Sequence, residues 1–410
     1  MKLFGRTWEI KNSVSALPQT NNDEAWRNYL SGKGYLVSAE TAIKVAAVIR
    51  CVDVVAKTMA SLPLRLYRKT DTGSEKAEDH PIYSLINRLP NPDTTAYEFW
   101  HMYIFNLMLS RGAYAKVVRD RGGFIRAIWN IPTCNVDDHR NETTGEKYIT
   151  VYTSTGEREN LYPGYFMHTP GLRFFSATTP EDPVQIASDV LGLTMALSGF
   201  AKDFFENGAN IGGVLETPSE LSEAAYQRMK ADWQTAYAGI MNQHKTAILE
   251  QGTKLNKIEA KLSDAQALES RKFQIVEICR MLGVPPHKVF DLDRATFSNI
   301  EQQNIEYVQE SIAPMSVRLE QTIYKDLLLP SERLALYAKF TVNALLRGDM
   351  AARTAYFHNA RQDGWMNGDE IRELEDMNRI ADGSGQYYAV NGNMIPLSSI
   401  PQNLPKGAAK

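Results

Sequence analysis

Apolar residues recur at three- and four-residue spacing through Ile43, Ala47, Val48, Cys51, Val54, Val55 and Met59, the pattern of a helix with one buried face. Ser38 stands where an N-cap belongs and Leu62-Pro63 closes the run, so the pattern predicts a single helix from residue 38 to 61. "LRLYRKTDTGSEKA" then reads as a strand entering a turn at Asp71-Thr72-Gly73-Ser74. A helix-rich stretch from Tyr83 to Leu109 leads into "GAYAKVVRDRGGFIRAIWNIP", a hairpin turning at Arg121-Gly122-Gly123. Further short strands surround Gly156, so the first half of the chain has an α+β character.

Beyond Pro183 helical spacing dominates. A long apolar helix ends at Gly208, and "IGGVLETP" supplies a short strand. Tyr226, Met229, Trp233, Ala236 and Ile240 mark one face of the next helix. "KTAILEQGTKLNKIEAKL" reads as two short strands about Gly252 that carry Lys245, Lys254, Lys257 and Lys261. A helix over 264–282 stops at Gly283 and Pro285-Pro286, and a polar loop follows. Its only sizeable apolar groups are Val289, Phe290, Leu292 and Phe297, which predicts a mobile segment on a rigid scaffold. Ser298 or Asn299 caps a helix reaching residue 329, about 45 Å long, in which Pro314 predicts a kink. "LALYAKFTV" is a strand, and 349–377 forms a helical pair about Gly364. The acidic run Asp369, Glu370, Glu373, Glu375 and Asp376 reads as a solvated helix face. Residues 1–37 form a polar arm, and the Gly-, Asn- and Pro-rich tail is expected to be disordered or weakly tethered.

Composition narrows the function classes. The 410 residues are 43% hydrophobic and 23% charged, enough for two or three domains with sizeable cores. A net charge of −3 argues against a tight, sequence-independent nucleic-acid binder, though not against a surface past which DNA slides. Cys51, Cys134 and Cys279 form no CxxC pair, which points to buried thiols in a reducing compartment rather than a disulfide framework or zinc site. With no apolar signal region at the start and no run of about 18 apolar residues, a soluble intracellular protein is expected.

Catalytic signatures are missing. HExxH, GxSxG and GxxxxGK[ST] do not occur; "SGKGY" at 31–35 lacks the upstream glycine of a phosphate loop. "DLDRATFSN" lacks the mid-loop Gly and terminal Glu of a calcium loop. The seven histidines are scattered, and His168 in "GYFMHTP" reads as a hydrogen-bonded strand residue. No catalytic, cofactor-binding or metal-ligating residue is assigned. The alternative to a structural protein is a nuclease or hydrolase whose acidic site combines Asp291, Asp293 and the 369–376 run.

An ordered set of segments carries a resemblance. "AVIRCVDVVAKTMASLPLRLY", "HPIYSLINRLPNPDTTAYEFW", "FFENGANIGGVLETP", "TAILEQGTKLNKI", "LGVPPHKV", "TFSNIEQQNIEYVQESIAPMSVRLEQTI" and "FTVNALLRGDMAARTAYFHNARQDGWMNGDEIRELEDM" together resemble the portal proteins of tailed bacteriophages, in the family typical of long-tailed phages. The likeness spans about residues 38–380. It implies an α+β portal fold with an α/β wing, helical stem, small β-containing clip and helical crown, assembled as a dodecameric ring at one capsid vertex. The implied divisions are an N-terminal arm (1–37), wing (38–218), stem helices (219–240 and 264–284), clip (241–263), tunnel loop (285–298), long kinked helix and wing strand (299–348), crown (349–380) and flexible tail (381–410).

The same resemblance assigns roles. The tunnel loop would face DNA through His287, Lys288, Asp291, Asp293, Arg294, Thr296, Ser298 and Asn299; Lys245, Lys254, Lys257 and Lys261 would dock the motor and adaptors. Tyr226, Met229 and Trp233 would pack between subunits. Implied partners are further copies of the chain, the double-stranded DNA in transit, the terminase motor, major capsid and scaffolding proteins, and head-completion or tail adaptors, with no membrane and no cofactor. The implied location is the virion vertex, with host cytoplasm during assembly. Elementary geometry agrees: twelve helices about 10 Å thick make a ring about 120 Å round with a bore of about 28 Å, wider than the roughly 20 Å of a duplex.

Overall fold

The computed structural model describes residues 2–3, 6–7, 37–71, 73–153, 155–174, 179–206, 213–216, 222–237, 254–257, 264–291, 297–342, 345, 350–375 and 377–389. It divides into two compact units, residues 1–341 and 342–410.

The first unit opens with a correction. Ser38 does cap a helix, in a reciprocal box with Thr41, but that helix is the single turn Ala39–Ala42. Val45, β-branched and at ease in extended backbone, takes φ −80° and ψ 115°, and the main helix α1 (Ala46–Ser61) starts after it. The expected face is buried from Val48 through Cys51, Val54 and Val55 to Met59, while Ile43 and Ala47 are half-buried. Strands β1 (Leu64–Thr70) and β2 (Gly73–Lys76) follow, turning where the Asp-Thr-Gly-Ser sequence placed the turn. Helix α2 (Pro81–Asn87) starts on a His80 cap, and α3 (Ala96–Leu109) on a capping box of Thr95 with Glu98.

Strands β3 (Gly112–Arg119) and β4 (Ile125–Ile131) form the predicted hairpin. Gly123 takes φ 85°, and the Asp120 carboxylate accepts the Gly122 and Phe124 amides, which fixes the turn. Strands β5 (Val136–Arg140), β6 (Lys147–Tyr152) and β7 (Arg158–Leu161) make a second antiparallel sheet, with Gly156 at φ 81° in its last turn. β8 (Phe166–Pro170) joins the other edge of β3. Tyr114, Ile131 and Phe166 of the β8-β3-β4 sheet meet Ile149, Val151 and Leu161 of the β5-β6-β7 sheet in one core. The opposite face lies on α3, whose Tyr103 hydroxyl donates to the Ala113 carbonyl. β3 is therefore buried on both faces, which explains its small residues Gly112, Ala113 and Ala115.

The helical half contributes α4 (Ser188–Glu206), β9 (Gly213–Glu216), α5 (Glu223–Tyr237), β10 (Lys254–Lys257) and α6 (Asp264–Leu282). β10 pairs antiparallel with β9, Gly213 opposite Lys257 and Glu216 opposite Lys254. The expected partner within 245–252 lies outside the described residues. The long helix expected over 299–329 is three pieces: α7 (Phe297–Tyr307), a π-turn (Val308–Ile312) and α8 (Ala313–Asp326). Its start at Phe297 precedes both expected caps. Pro314, which lacks an amide donor, falls in the first turn of α8, and the wider π-turn before it accommodates the missing bond. β11 (Leu336–Phe340) then returns to pair with β1, Leu64 opposite Phe340, and Phe340 meets Trp100 edge-on at 6.3 Å.

The second unit contains α9 (Met350–Gln362) and α10 (Gly368–Leu374) around Gly364, which has φ 74°. The acidic run is not simply solvated. Asp369 is buried and accepts the Ile380 amide, while Glu370 closes a capping box with Asn367 and accepts from the Tyr388 hydroxyl. These bonds tether Ile380 and Tyr388 to α10, and Arg361 of α9 donates to the Tyr387 carbonyl. Residues 390–410 lie outside the description.

Candidate functional site

The junction between α6 and α7 is built by backbone chemistry that the sequence announces. Gly283 ends α6 in the left-handed region at φ 66°, and the Val284 amide turns back to the Cys279 carbonyl. Pro285 is extended, and Pro286–Val289 forms one 3-10 turn that packs against α1. Phe290 ends that turn at φ 66°, an unfavourable left-handed conformation for a bulky residue. Its ring is 77% exposed, with the Arg50 guanidinium 5.0 Å from its centre.

Residues 283–291 of the junction are held by contacts with α1 and α7, whereas residues 292–296 of the segment expected to be mobile lie outside the described residues. Val284 is buried, Val289 half-buried and Phe290 exposed, and polar contacts to α7 add to this packing. His287 places Nδ1 2.8 Å from Gln303 and Nε2 3.0 Å from Asn304, both on α7. Lys288 is half-buried with its ammonium 5.6 Å above the Tyr307 ring, and burial holds its pKa below the ordinary lysine value. In this conformation both side chains are turned toward α7. Asp291 is half-buried at the end of the turn. Ser298 and Asn299 lie inside the first turn of α7 rather than ahead of it. Asp293, Arg294 and Thr296 fall outside the described residues.

The other sequence-nominated groups stand on separate elements. Tyr226 is exposed and Met229 half-buried on α5; nothing is described of the Trp233 side chain on that helix. Lys254 and Lys257 occupy the two ends of β10, with Lys254 exposed; Lys245 and Lys261 lie outside the described residues. The carboxylates of the enzymatic alternative are divided, Asp291 in the first unit and Asp369 to Glu375 in the second. Among the described residues no group of three His, Cys, Asp or Glu side chains could hold a metal, and no helix is long and apolar enough to cross a membrane.

Two buried constellations complete the picture. His168 is a buried strand residue, as its sequence context suggested, stacked on Tyr114 at 4.3 Å, and the Lys147 ammonium donates to its Nδ1 at 2.9 Å. Burial, with the positive charges of Lys147, Lys325 and Arg173, holds its pKa down to about 2. The second was invisible in the sequence: Cys51 on α1 and Cys279 on α6, separated by 228 positions, bring their sulfurs to 3.8 Å. Each has apolar neighbours at helical spacing, which signalled burial of both thiols but not their meeting.

Comparison with known proteins places this architecture. The family model described as phage portal protein matches residues 46–376. The portal protein of Enterobacteria phage HK97 is 28% identical over 393 residues, covering 94% of this chain and 91% of that protein. The probable portal protein of Streptomyces phage phiC31 is 28% identical over 382 residues, covering 91% and 83%. Among solved structures, a chain from the neck of a native gene transfer agent particle, computed with C12 symmetry, superposes with a TM-score of 0.54 at 17% identity, covering 86% of this chain and 99% of that one.

Proposed function

The chain belongs to the phage portal protein family, and from that premise we propose that it closes into a twelve-membered ring whose bore conducts double-stranded DNA into and out of the capsid. The observation that carries this reading is the family match over residues 46–376, a span that includes α1, the α5–β10–α6 excursion and α10. The C12 symmetry of the gene transfer agent neck supports the copy number. In this reading α5 and α6 are the stem, the segment around β10 is the clip, the α6–α7 junction is the tunnel loop and the second unit is the crown. The half-exposed Tyr226 and Met229, with Trp233 one helical turn on, pack between neighbouring stems.

The anchored turn refines the channel contact. With His287 and Lys288 engaged by α7, the contact with DNA falls to the exposed Phe290 and to residues 292–296 beyond it. In that segment Asp291 and Asp293 oppose Arg294 and keep phosphate affinity low, because every unopposed cation adds counterion-release binding that would stall transit. The basic strand segment docks the packaging ATPase and, later, the adaptors. Replacing Lys245, Lys254, Lys257 and Lys261 with Glu should leave the ring intact while the motor no longer co-purifies with it and heads remain empty. Motor binding that survives all four changes would remove this face from docking.

A further inference from the structure

We propose that Cys51 and Cys279 form a reversible oxidation site, at which a low-molecular-weight disulfide such as oxidised glutathione converts the two thiols into a crosslink between α1 and α6. The inference does not rest on the portal reading. Its basis is geometric: the two sulfurs are 3.8 Å apart, both residues are almost fully buried, and each sits on a regular helix packed on the other. A disulfide needs about 2.05 Å, so closure requires under about 2 Å of approach, within reach of side-chain rotation and a slight movement of the helices. The third cysteine, Cys134, is exposed and bonded to its neighbour Asn135, so it does not compete within this core.

The chemistry balances with one equivalent of oxidant. The Cys279 thiolate attacks one sulfur of oxidised glutathione, forming a mixed disulfide and releasing one glutathione thiolate. Cys51 then loses its proton and attacks the Cys279 sulfur, forming the Cys51–Cys279 bond and expelling the second glutathione. Both protons pass to the released glutathione thiolates. Two protein thiols are oxidised and one glutathione disulfide is reduced. The order follows from the hydrogen bond between the sulfurs: it lowers the Cys279 pKa and, together with burial, raises that of Cys51.

Access is the controlled step. Cys279 lies one turn from the end of α6, where its carbonyl accepts the Val284 amide, and the 3-10 turn that follows packs on α1, the helix of Cys51. That turn holds few buried apolar groups and one left-handed Phe290, so its local opening costs less than unfolding the core. Oxidation therefore reads out movement of the junction, and the crosslink fixes α6 to α1 once formed. A protein carried from a reducing compartment into an oxidising medium would meet such an oxidant.

The test treats the purified full-length protein with oxidised glutathione, blocks remaining thiols with iodoacetamide in denaturant, and maps tryptic peptides without reduction. The expected product joins peptide 51–57 to peptide 273–280 within one chain. Hydrogen exchange in α6 slows, and the unfolding midpoint rises by about 5 °C. Dithiothreitol reverses all three changes. Cys51→Ala and Cys279→Ala should each abolish the link and the shift, while Cys134→Ser should retain both. Three results would overturn the proposal: both thiols fully alkylated after oxidant, a stable glutathione adduct without the link, or crosslinks confined to Cys134.

Discussion

Acidification should expose the cost of keeping His168 neutral. The ring is buried between β3 and the Lys147 ammonium, and its pKa falls from the ordinary 6.5 to about 2. The unfolded chain therefore binds a proton that the folded chain refuses. The stability from this residue is fully present above pH 6.5 and is lost as pH falls toward 2. At pH 5 the unfolded histidine lies 1.5 units below its midpoint, so the loss is about 2 kcal/mol relative to pH 8. Asp326, which accepts the His168 amide and whose pKa burial raises, adds a pH dependence of its own. A difference against His168→Gln cancels it, because glutamine keeps an acceptor for Lys147 without titrating. Urea unfolding of both proteins at pH 8 and pH 5 should show the wild type losing about 2 kcal/mol more than the variant. A difference that does not change with pH would refute the account of this core.

Two further perturbations follow from local geometry. Phe290→Gly should be about 1 kcal/mol more stable than Phe290→Ala in denaturant unfolding, because both lose the Arg50 contact but only glycine relieves the left-handed backbone; equal stabilities would mean that the turn is unstrained. In the second unit, a Cβ at Gly385 would overlap the Asp369 carboxylate that holds the Ile380 amide. Gly385→Ala should therefore lose about 2 kcal/mol locally and open residues 377–389 to limited proteolysis; an unchanged cleavage pattern would contradict the clasp.

What the sequence revealed divides by range. The turns at Gly123 and Gly156 and the left-handed end of α6 at Gly283 were legible, because one residue's backbone freedom determines each. The buried face of α1 was legible from its spacing, but its start was not, since nothing in "SAETAIKV" marks the extended Val45. Nonlocal pairings were out of reach. Hydrophobic pattern gives β10 its strand character but cannot name β9 as its partner, and 228 positions separate the thiols that meet in the core. The contacts at the start of the tail were out of reach for a related reason. Its polar composition does not show that the Ile380 amide and the Tyr388 hydroxyl donate to the acidic side chains of α10. At the α6–α7 junction the charge pattern was legible, but the partners of His287 lie 16 and 17 residues on, within α7.

The central claim is that many copies of this chain enclose a channel for duplex DNA. Electron microscopy of the purified full-length protein, with its mass measured on the same sample, tests it most directly. The account predicts closed rings, about 550 kDa for twelve chains of 46.1 kDa, with a bore wider than the roughly 20 Å of a duplex and the α6–α7 junction lining its narrowest part. A monomer that stays monomeric at high concentration, or a closed assembly with no axial bore, would contradict it.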